Sequence, residues 1–369
     1  MNHLINIARQ FVQKGKVVAV RALGDGNINQ TFLVTVDHKL NNYFVLQQIN
    51  TQVFTQPELL INNIQTFTNH VNQKLANSTL VNNRRWQVPQ VLFTSTNQNH
   101  YIDQSNNFWR AISFIDNARS YNTIQDLQHA QELGYGLGLF HKLISDLELT
   151  QLVDTLPGFH ITPEYFKQYQ VAKNNHQKTN EEVQYCQQFI EERIEIINIL
   201  EQAKAQGILQ LRPIHGDPKI NNIMIDRDSK KAIALIDLDT VKPGLIHYDI
   251  GDCVRSGCNS LGEETTNLQA VNFDLDLAKA ILQGYLTIAR DFITREEVDY
   301  IYDSIRLITF ELGLRFFTDY LNNNIYFKVN YPEHNLSRAL VQFQLVKSIE
   351  SQAETIKKMV VELFNTVDT

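Results

Sequence analysis

The sequence predicts an α+β protein of two lobes, a small β-sheet lobe at the amino end and a larger, mainly helical lobe. The chain has 369 residues, and a single hydrophobic core usually stops growing at about 250–300 residues. β-Branched runs typical of strands are concentrated in the first third of the chain, and long segments with helical periodicity follow. We therefore expect one lobe at 1–115 and a second at 116–369.

The first lobe is expected to begin with a helix and to continue as a sheet. Leu4, Ala8 and Phe11 recur at helical spacing, and β-branched segments follow them. Strands are predicted at 17–23, 31–36, 43–49, 88–93 and 109–115, with a helix at 57–75. A loop that carries Gly24 and Gly26 joins the first two strands.

The second lobe is expected to consist mainly of helices. Amphipathic patterns predict helices at 127–144, 181–205, 298–321 and 336–364. The first of these contains Gly134, Gly136 and Gly138, but no strand precedes it, as a phosphate-binding glycine loop would require. Small residues at this spacing indicate instead that another helix packs closely against it.

Composition and charge exclude several classes of protein. Hydrophobic residues make up 43% and charged residues 20% of the chain, as in globular enzymes. The net charge is −7, and no cluster of arginine and lysine offers a surface for nucleic acid. The three cysteines form no C-x-x-C pair, and no stretch approaches the roughly 18 apolar residues of a membrane span. We expect a cytoplasmic protein with free thiols that binds neither nucleic acid nor membranes.

The segment 214–222 carries the strongest functional signal. His215 and Asp217 are followed by Asn222 at the H-x-D-x-x-x-x-N spacing of a kinase catalytic loop. Phosphoryl transfer needs a carboxylate to orient and deprotonate the attacking hydroxyl, and an amide oxygen to hold Mg²⁺ against the phosphates. Asp217 is therefore the predicted base and Asn222 a predicted Mg²⁺ ligand. His215 is expected to brace the loop, and Asp249 to anchor it.

A second acidic motif follows at the distance that this chemistry requires. Residues 231–236 have the pattern of a buried strand, and Asp237 stands at its end, where kinases hold their second metal contact. Asp237 is therefore predicted to bind Mg²⁺ as well. A chance His-Gly-Asp turn or a capping aspartate could explain either motif alone, but both in this order favour an ATP- and Mg²⁺-dependent phosphotransferase.

The sheet lobe can supply the nucleotide contacts of such an enzyme. A strand, a glycine-containing loop and a second strand form the lid over ATP phosphates in kinase folds, although a plain hairpin turn has the same pattern. Kinases also place adenine against the strand that runs into the hinge, here 110–115. The predicted nucleotide-binding residues are Gly24, Asp25, Gly26, Gln48, Arg110 and Ile112.

Longer stretches of the sequence resemble one family of small-molecule kinases. The segments 236–244 and 248–255, together with 24–29, 46–48 and 314–336, are similar to the N-acetylhexosamine 1-kinase family, within the aminoglycoside phosphotransferase and choline kinase superfamily. The resemblance implies a bilobal protein-kinase-like fold. It also implies transfer of phosphate from ATP to the anomeric hydroxyl of an N-acetylhexosamine, GlcNAc or GalNAc.

The resemblance further implies that Asn29, Asp237, Arg315 and Tyr326 contact the sugar. Arg315 stands on an otherwise apolar helical segment, where a guanidinium must find partners or face a cleft. An ion pair with Glu311, four residues earlier, is the alternative role for Arg315, and Tyr326 could equally be a core aromatic residue. Arg315 in the pocket would argue against a cationic substrate.

The chain departs from the kinase and family patterns at several positions. Gln47 and Gln48 stand where kinases usually have the lysine of their third strand, so neutral donors are expected to hold the phosphates. Asn27 and Ser256 stand where the resembled family has a histidine and an aromatic residue. Both changes bear on sugar specificity more than on the type of reaction.

Two other functions fit the same motifs. A kinase of the same fold could act on choline, homoserine or an aminoglycoside; a choline pocket should offer an aromatic cage, and an aminoglycoside pocket should be strongly acidic. A catalytically inactive protein that only binds nucleotide is the other alternative, and the missing lysine is its only support. We expect ATP and a small-molecule sugar as partners, and a monomer or a weak homo-oligomer.

Overall fold

The computed structural model describes residues 2–24, 28–38, 42–76, 84–176 and 180–366. These residues form a small antiparallel sheet near the amino end and a larger, mainly helical part, which confirms the predicted α+β class. The loop residues Asp25, Gly26 and Asn27 lie outside the described residues. The lobe boundary near residue 115 stays a prediction.

The sheet near the amino end has six strands among the described residues. They are β1 (Lys16–Ala22), β2 (Gln30–Asp37), β3 (Tyr43–Ile49), β4 (Val91–Leu92), β5 (Tyr101–Ile102) and β6 (Phe108–Ser113). The order is β1-β2-β3-β6-β4, all antiparallel, with β5 paired to β6. Helix α1 (Asn2–Gln10) packs on one face through a small core that includes Phe11, Phe44 and Leu46. Helix α2 (Pro57–Ala76) instead joins the main core of the helical part.

One predicted strand is much shorter than expected. The segment 88–93 pairs with β6 only at Val91–Leu92. Pro89 has no backbone N–H to donate to the ladder, so pairing begins only after it. The other strands predicted in this lobe agree with the structure within two residues at each end.

The remainder of the chain is mostly helical. Its helices are α3 (Leu127–Ile144), α4 (Thr162–Asn175), α5 (Glu181–Glu191), α6 (Ile199–Ala205), α7 (Ile246–Gly257), α8 (Leu275–Ala289), α9 (Arg295–Asp299), α10 (Ile301–Leu321), α11 (His334–Ser351) and α12 (Ala353–Asn365). Among the described residues, no helix combines the length and the apolar character that crossing a membrane requires.

Short strands between the helices carry the predicted catalytic motifs. They are β7 (Ala118–Arg119), β8 (Arg212–Ile214), β9 (Ile223–Asp226), β10 (Ala232–Leu235) and β11 (Lys242–Gly244). Strands β10, β9 and β7 form one antiparallel sheet, and β11 pairs with β8. The predicted catalytic loop lies between β8 and β9, and Asp237 lies two residues after β10. The two motifs therefore meet at one end of these hairpins.

The predicted helix at 181–205 is broken into α5 and α6. A 3₁₀ turn at Ile194–Ile196 separates them. This turn and Ile197 supply three β-branched residues of low helix propensity, and the burial of Ile196 and Ile197 favours the turn over a continuous helix. The predicted helices at 298–321 and 336–364 are each interrupted once, between α9 and α10 and between α11 and α12.

Helices α3 and α8 pack at very short distance. A β-carbon on Gly134 would lie 1.8 Å from the Ile281 carbonyl oxygen, and one on Gly284 would lie 1.9 Å from the Gln131 carbonyl oxygen. Neither position has room for a side chain. Gly134 and Gly138 therefore serve the packing of α3 against α8, as the sequence predicts, whereas Gly136 lies against strands β9 and β10.

Candidate active site

A buried carboxylate on α7 anchors the catalytic loop. Asp249 is fully buried and accepts hydrogen bonds from the backbone N–H groups of His215 and Gly216, at 2.7 and 2.8 Å. His141 on α3 lies 2.8 Å from the same carboxylate through Nε2, and its Nδ1 lies 3.0 Å from the Tyr285 hydroxyl on α8. A buried charge is stable only with such partners. Asp249 thus holds the loop, as expected.

His215 braces the loop and is not placed to act as a base. Its Nδ1 accepts the Asp217 N–H at 3.2 Å, so its Nε2 carries the proton and donates to the Ile236 carbonyl oxygen at 2.9 Å. Burial lowers the pKa of His215, which keeps the ring neutral. Gly216 has a φ of +87°, and a β-carbon there would lie 2.7 Å from the Thr240 carbonyl oxygen. Only glycine fits at this turn.

Ser256 supports the same loop from the end of α7. Its hydroxyl accepts the Ile220 backbone N–H at 3.2 Å and donates to the Cys253 carbonyl oxygen at 3.1 Å. The described contacts of Ser256 are therefore with the protein, and its role in sugar specificity stays a prediction.

Asp217 lies at the open end of the loop, with 28% of its side chain exposed. Lys219 Nζ donates to Asp217 Oδ2 at 2.9 Å, and Asn222 Nδ2 donates to the Asp217 carbonyl oxygen at 2.8 Å. The Asp217 carboxylate raises the pKa of Lys219, which therefore keeps its charge. Sequence analysis missed Lys219, although a lysine two residues after the predicted base is the signal that could reveal it. A cation here can bind a phosphate beside the base.

Asp237 meets two further carboxylates just after β10. Its φ of +65° is uncommon for a residue other than glycine. Burial, Asp239 and Asp217 together raise the pKa of Asp237 to about 7. A divalent cation would relieve this repulsion, and the oxygens of Asp237 and Asn222 are ligands that Mg²⁺ prefers. These two residues fit the predicted metal site.

The donor set is small for a metal held by protein alone. No cluster of three or more histidine, cysteine or acidic side chains suited to a metal occurs within the part of the chain that the structure describes. Mg²⁺ in phosphoryl-transfer sites commonly takes one or two protein ligands and completes its shell with phosphates and water. The arrangement therefore suits an ion that arrives with a nucleotide.

A buried polar network joins the sheet to the segment that carries Asp237. Arg110 on β6 forms an ion pair with Asp239, and both side chains are almost fully buried. Asp239 Oδ2 also accepts Asn29 Nδ2 at 2.6 Å. Gln47 on β3 lies opposite Arg110 and accepts its Nε and Nη2 groups, at 2.9 and 2.7 Å, through Oε1. Asn29, which the family resemblance assigns to the sugar, is thus engaged by Asp239.

The network shows which side chains of β3 and β6 share a face of the sheet. Gln47, Arg110 and Ile112 share one face of the sheet, because Gln47 pairs with Arg110 and alternate residues of a strand point the same way. Gln48 points to the opposite face, so Gln47 replaces it as the β3 residue that faces the helical part. The expectation that neutral donors of β3 hold the phosphates stays a prediction, and Arg110 places a guanidinium beside Gln47. Gly24 begins the β1–β2 loop with a φ of +71°.

Arg315 is enclosed by aromatic rings, which we call the aromatic box. Its guanidinium carbon lies 4.9 Å from the ring centre of Tyr165, 5.1 Å from Phe159, 5.5 Å from Phe327 and 6.0 Å from Tyr326. Within the described ranges, no carboxylate forms an ion pair with Arg315. Cation–π attraction therefore acts on this charge, and the carboxylates of Glu311 and Asp217 stabilise it electrostatically without a direct ion pair.

A buried histidine links the aromatic box to the catalytic loop. His160 follows Phe159, and its Nε2 lies 2.6 Å from the Gly216 carbonyl oxygen. Its Nδ1 lies 2.9 Å from Glu311. Burial alone would lower the pKa of His160, but the Glu311 carboxylate outweighs burial and raises it. Glu311 is engaged here, so the alternative ion pair between Glu311 and Arg315 does not form. Sequence analysis missed His160, because its partners are distant in the chain.

The loop after α10 holds Tyr326 at the rim of the aromatic box. Asp319, which is 6% exposed, accepts the backbone N–H groups of Ile325, Tyr326 and Phe327 at 2.9, 2.8 and 2.9 Å. Asn335 Nδ2 also donates to Asp319, at 2.9 Å. Tyr326 itself is 44% exposed, so it is not a core aromatic residue. Asp319 and Asn335 are further positioning residues that sequence analysis missed.

Comparison with known proteins bears on the fold and the family. The model of a phosphotransferase enzyme family, APH, matches residues 19–290. A choline kinase from Cryptosporidium parvum Iowa II superposes with a TM-score of 0.62, at 14% identity over 99% of both chains. A microcompartment-associated aminopropanol kinase superposes with a TM-score of 0.55 at 13% identity, over 96% of this chain and 98% of the kinase chain. The GDP complex of aminoglycoside 2'-phosphotransferase-IIIa superposes with a TM-score of 0.52 at 12% identity, over 98% of this chain and 96% of the phosphotransferase chain. These likenesses confirm the predicted kinase-like fold.

Replacing Asp217 tests its assignment as the base. Asp217→Asn keeps the size of the side chain but cannot accept a proton, so kcat should fall by about 10²–10⁴-fold. The Michaelis constant for ATP should stay close to that of the wild type, because Asn222 and Asp237 remain. Steady-state kinetics with ADP detection measure both. Asp228→Asn, on the exposed turn between β9 and β10, is the control and should retain activity. Near-wild-type kcat in Asp217→Asn would contradict the assignment.

Proposed function

This chain belongs to the phosphotransferase enzyme family, and we propose that it transfers the γ-phosphoryl group of ATP to the anomeric hydroxyl of an N-acetylhexosamine. The products are the sugar 1-phosphate and ADP. The family and the fold support the reaction type, and Asp217 with its surroundings supports the chemistry. The acceptor class rests on Arg315 and the aromatic box.

Asp217 is the group that takes the proton of the acceptor hydroxyl. As the sugar oxygen bonds to the γ-phosphorus, the bond to the β–γ bridging oxygen breaks and ADP leaves with that electron pair. An anomeric hydroxyl is more acidic than an ordinary alcohol, so a carboxylate is a sufficient base late in the transfer. Lys219, 2.9 Å from Asp217, is placed to stabilise charge on the transferring group. Asn222 and Asp237 would hold Mg²⁺, which would neutralise phosphate charge when bound.

Arg315 in its aromatic box is the observation that supports a neutral acceptor. Aromatic cages bind ammonium groups of choline-like ligands by cation–π attraction. In this chain the cage contains the protein's own guanidinium, so a cationic acceptor would meet a like charge there. Two like charges 4 Å apart near a protein surface repel by about 4 kcal/mol. A cationic acceptor is therefore disfavoured.

An N-acetylhexosamine suits the same pocket. Its hydroxyl and acetamide oxygens accept hydrogen bonds, and the guanidinium of Arg315 offers N–H donors in a fixed planar array. Its uncharged ring can pack against Tyr326 at the rim. Pockets for small molecules typically combine such apolar walls with a few placed polar groups.

An acceptor panel tests the proposed function. We expect purified protein with Mg-ATP to release ADP with GlcNAc or GalNAc, and to use glucose at least about tenfold less well in kcat/KM, because the acetamide contact is lost. Choline, aminopropanol and an aminoglycoside should give no turnover. The relatives named for choline and aminopropanol make these the decisive alternatives. ADP release with a cationic acceptor alone would overturn the acceptor class, and no release with any acceptor would favour an inactive nucleotide-binding protein.

Replacing Arg315 tests its contact with the acceptor. Arg315→Met should raise the Michaelis constant for the sugar by about 10–100-fold, as expected for lost hydrogen bonds to a charged donor, and leave that for ATP unchanged. Arg306→Met is a matched control on α10, since Arg306 pairs with Glu350. Arg315→Ala should also bind tetramethylammonium in the emptied box, which calorimetry measures. An unchanged Michaelis constant for the sugar in Arg315→Met would contradict the proposed contact between Arg315 and the acceptor.

A further inference from the structure

Arg110 brings a positive charge next to the position where the third-strand lysine of kinases is missing. Gln47 occupies that strand, and Arg110 is its direct partner on β6, on the same face of the sheet. Ile112, two residues towards the predicted hinge, also lies on this face, about 7 Å further along the strand. At the other end of β6, Trp109 pairs with Gln48 of β3, which pairs in turn with Gln30, the first residue of β2. Arg110 thus lies between the regions predicted for adenine and phosphates.

Gln47 fixes the orientation of the Arg110 guanidinium. Its Oε1 accepts both Nε and Nη2 of Arg110, and its own Nε2 donates to Thr31 Oγ1 at 3.1 Å. Both ends of the Gln47 amide are therefore engaged. Because the guanidinium is planar, Gln47 on the Nε–Nη2 edge leaves Nη1 on the remaining side.

Among the residues that the structure describes, none offers a hydrogen-bond partner to the Nη1 group of Arg110. It is buried, and the whole side chain is 1% exposed. Buried charged donors are almost always hydrogen-bonded, so one left unpaired by the described residues is costly and points to an acceptor beyond them, such as a bound ligand. A phosphate oxygen is an anionic acceptor that an arginine binds strongly.

The surrounding charges are compatible with that ligand. Asp239 pairs with Nη2 through one oxygen, and Asn29 donates to the other oxygen of Asp239. Asp239 is only two residues from Asp237, the predicted metal ligand. One guanidinium can hold a carboxylate on one side and a phosphate on another, since it has five N–H donors.

We propose that Arg110, positioned by Gln47, contacts the phosphates of the nucleotide through Nη1, in the role of the missing lysine. The proposal rests on the proposed use of ATP, but not on the identity of the acceptor. Arg110 is then a binding residue, and Gln47 a positioning residue.

The test compares nucleotides that differ only in phosphates, by titration calorimetry without any sugar. Arg110→Gln should bind Mg-ADP and Mg-ATP about 10–100-fold more weakly than the wild type, as expected for a lost charge-assisted contact. Its affinity for adenosine should change by less than about twofold, because adenosine has no phosphate to lose. Arg84→Gln is the matched control, since it removes another buried arginine that pairs with a carboxylate, Glu132. Arg84→Gln should lower the melting temperature without changing nucleotide affinity.

A second variant distinguishes a phosphate contact of Arg110 from a purely structural role of this residue. The double variant Gln47→Lys with Arg110→Gln returns a cation to β3, and it should regain most of the lost ADP affinity. If Arg110→Gln does not fold, Arg110→Lys is measured in the same way, and should bind ADP more weakly than the wild type with adenosine unchanged. Wild-type ADP affinity in a folded Arg110 variant, or equal losses for ADP and adenosine, would overturn the proposal. A wild-type protein that binds ATP but phosphorylates no N-acetylhexosamine would overturn only the proposed acceptor.

Discussion

The buried carboxylate of Asp249 is the interaction on which the active site depends. It receives two consecutive backbone N–H groups of the catalytic loop and the side chain of His141, so the loop, α7 and α3 meet at one point. An unpaired buried carboxylate is strongly unfavourable, so Asp249 disfavours any conformation of the catalytic loop that would break these hydrogen bonds. Gly216 then turns the chain so that Asp217 lies at its open end. His160 binds the Gly216 carbonyl oxygen and extends the same support to the aromatic box.

Three cationic side chains near the proposed active site differ in how many anionic partners the protein gives them. We propose a different ligand for each accordingly. Lys219 has the Asp217 carboxylate as its partner. Arg110 pairs with Asp239 and Gln47, while its Nη1 group finds no partner within the described part of the chain. Arg315 has only aromatic rings among the described contacts, and these attract a cation without cancelling its charge. We therefore propose that the anionic nucleotide binds at Arg110 and that a neutral sugar, rather than a cationic acceptor, binds at Arg315.

The sequence predicts those parts of the site whose residues are close in the chain. Asp217, Asn222 and Asp237 are recognised by spacing because the chemistry requires them on one loop and the strand after it. Contacts between distant segments carry no such signal: Asp239 meets Arg110 across 129 residues, and His160 meets Glu311 across 151. The sequence also does not show which face of the sheet a side chain lies on. Gln47 and Gln48 are adjacent on β3 and therefore point to opposite faces. The fold class followed from local patterns, whereas the break between α5 and α6 depends on burial that only the tertiary structure determines.

The position of the phosphate on the product tests the proposed reaction most directly. The enzyme is incubated with Mg-ATP and either GlcNAc or GalNAc, and the phosphorylated product is examined by ³¹P and ¹H nuclear magnetic resonance. Phosphorylation of the anomeric oxygen predicts that phosphorus couples to the single proton on C1 of the sugar. Coupling to the paired protons of C6, or to another ring proton, would contradict the assignment of the anomeric hydroxyl as the phosphoryl acceptor.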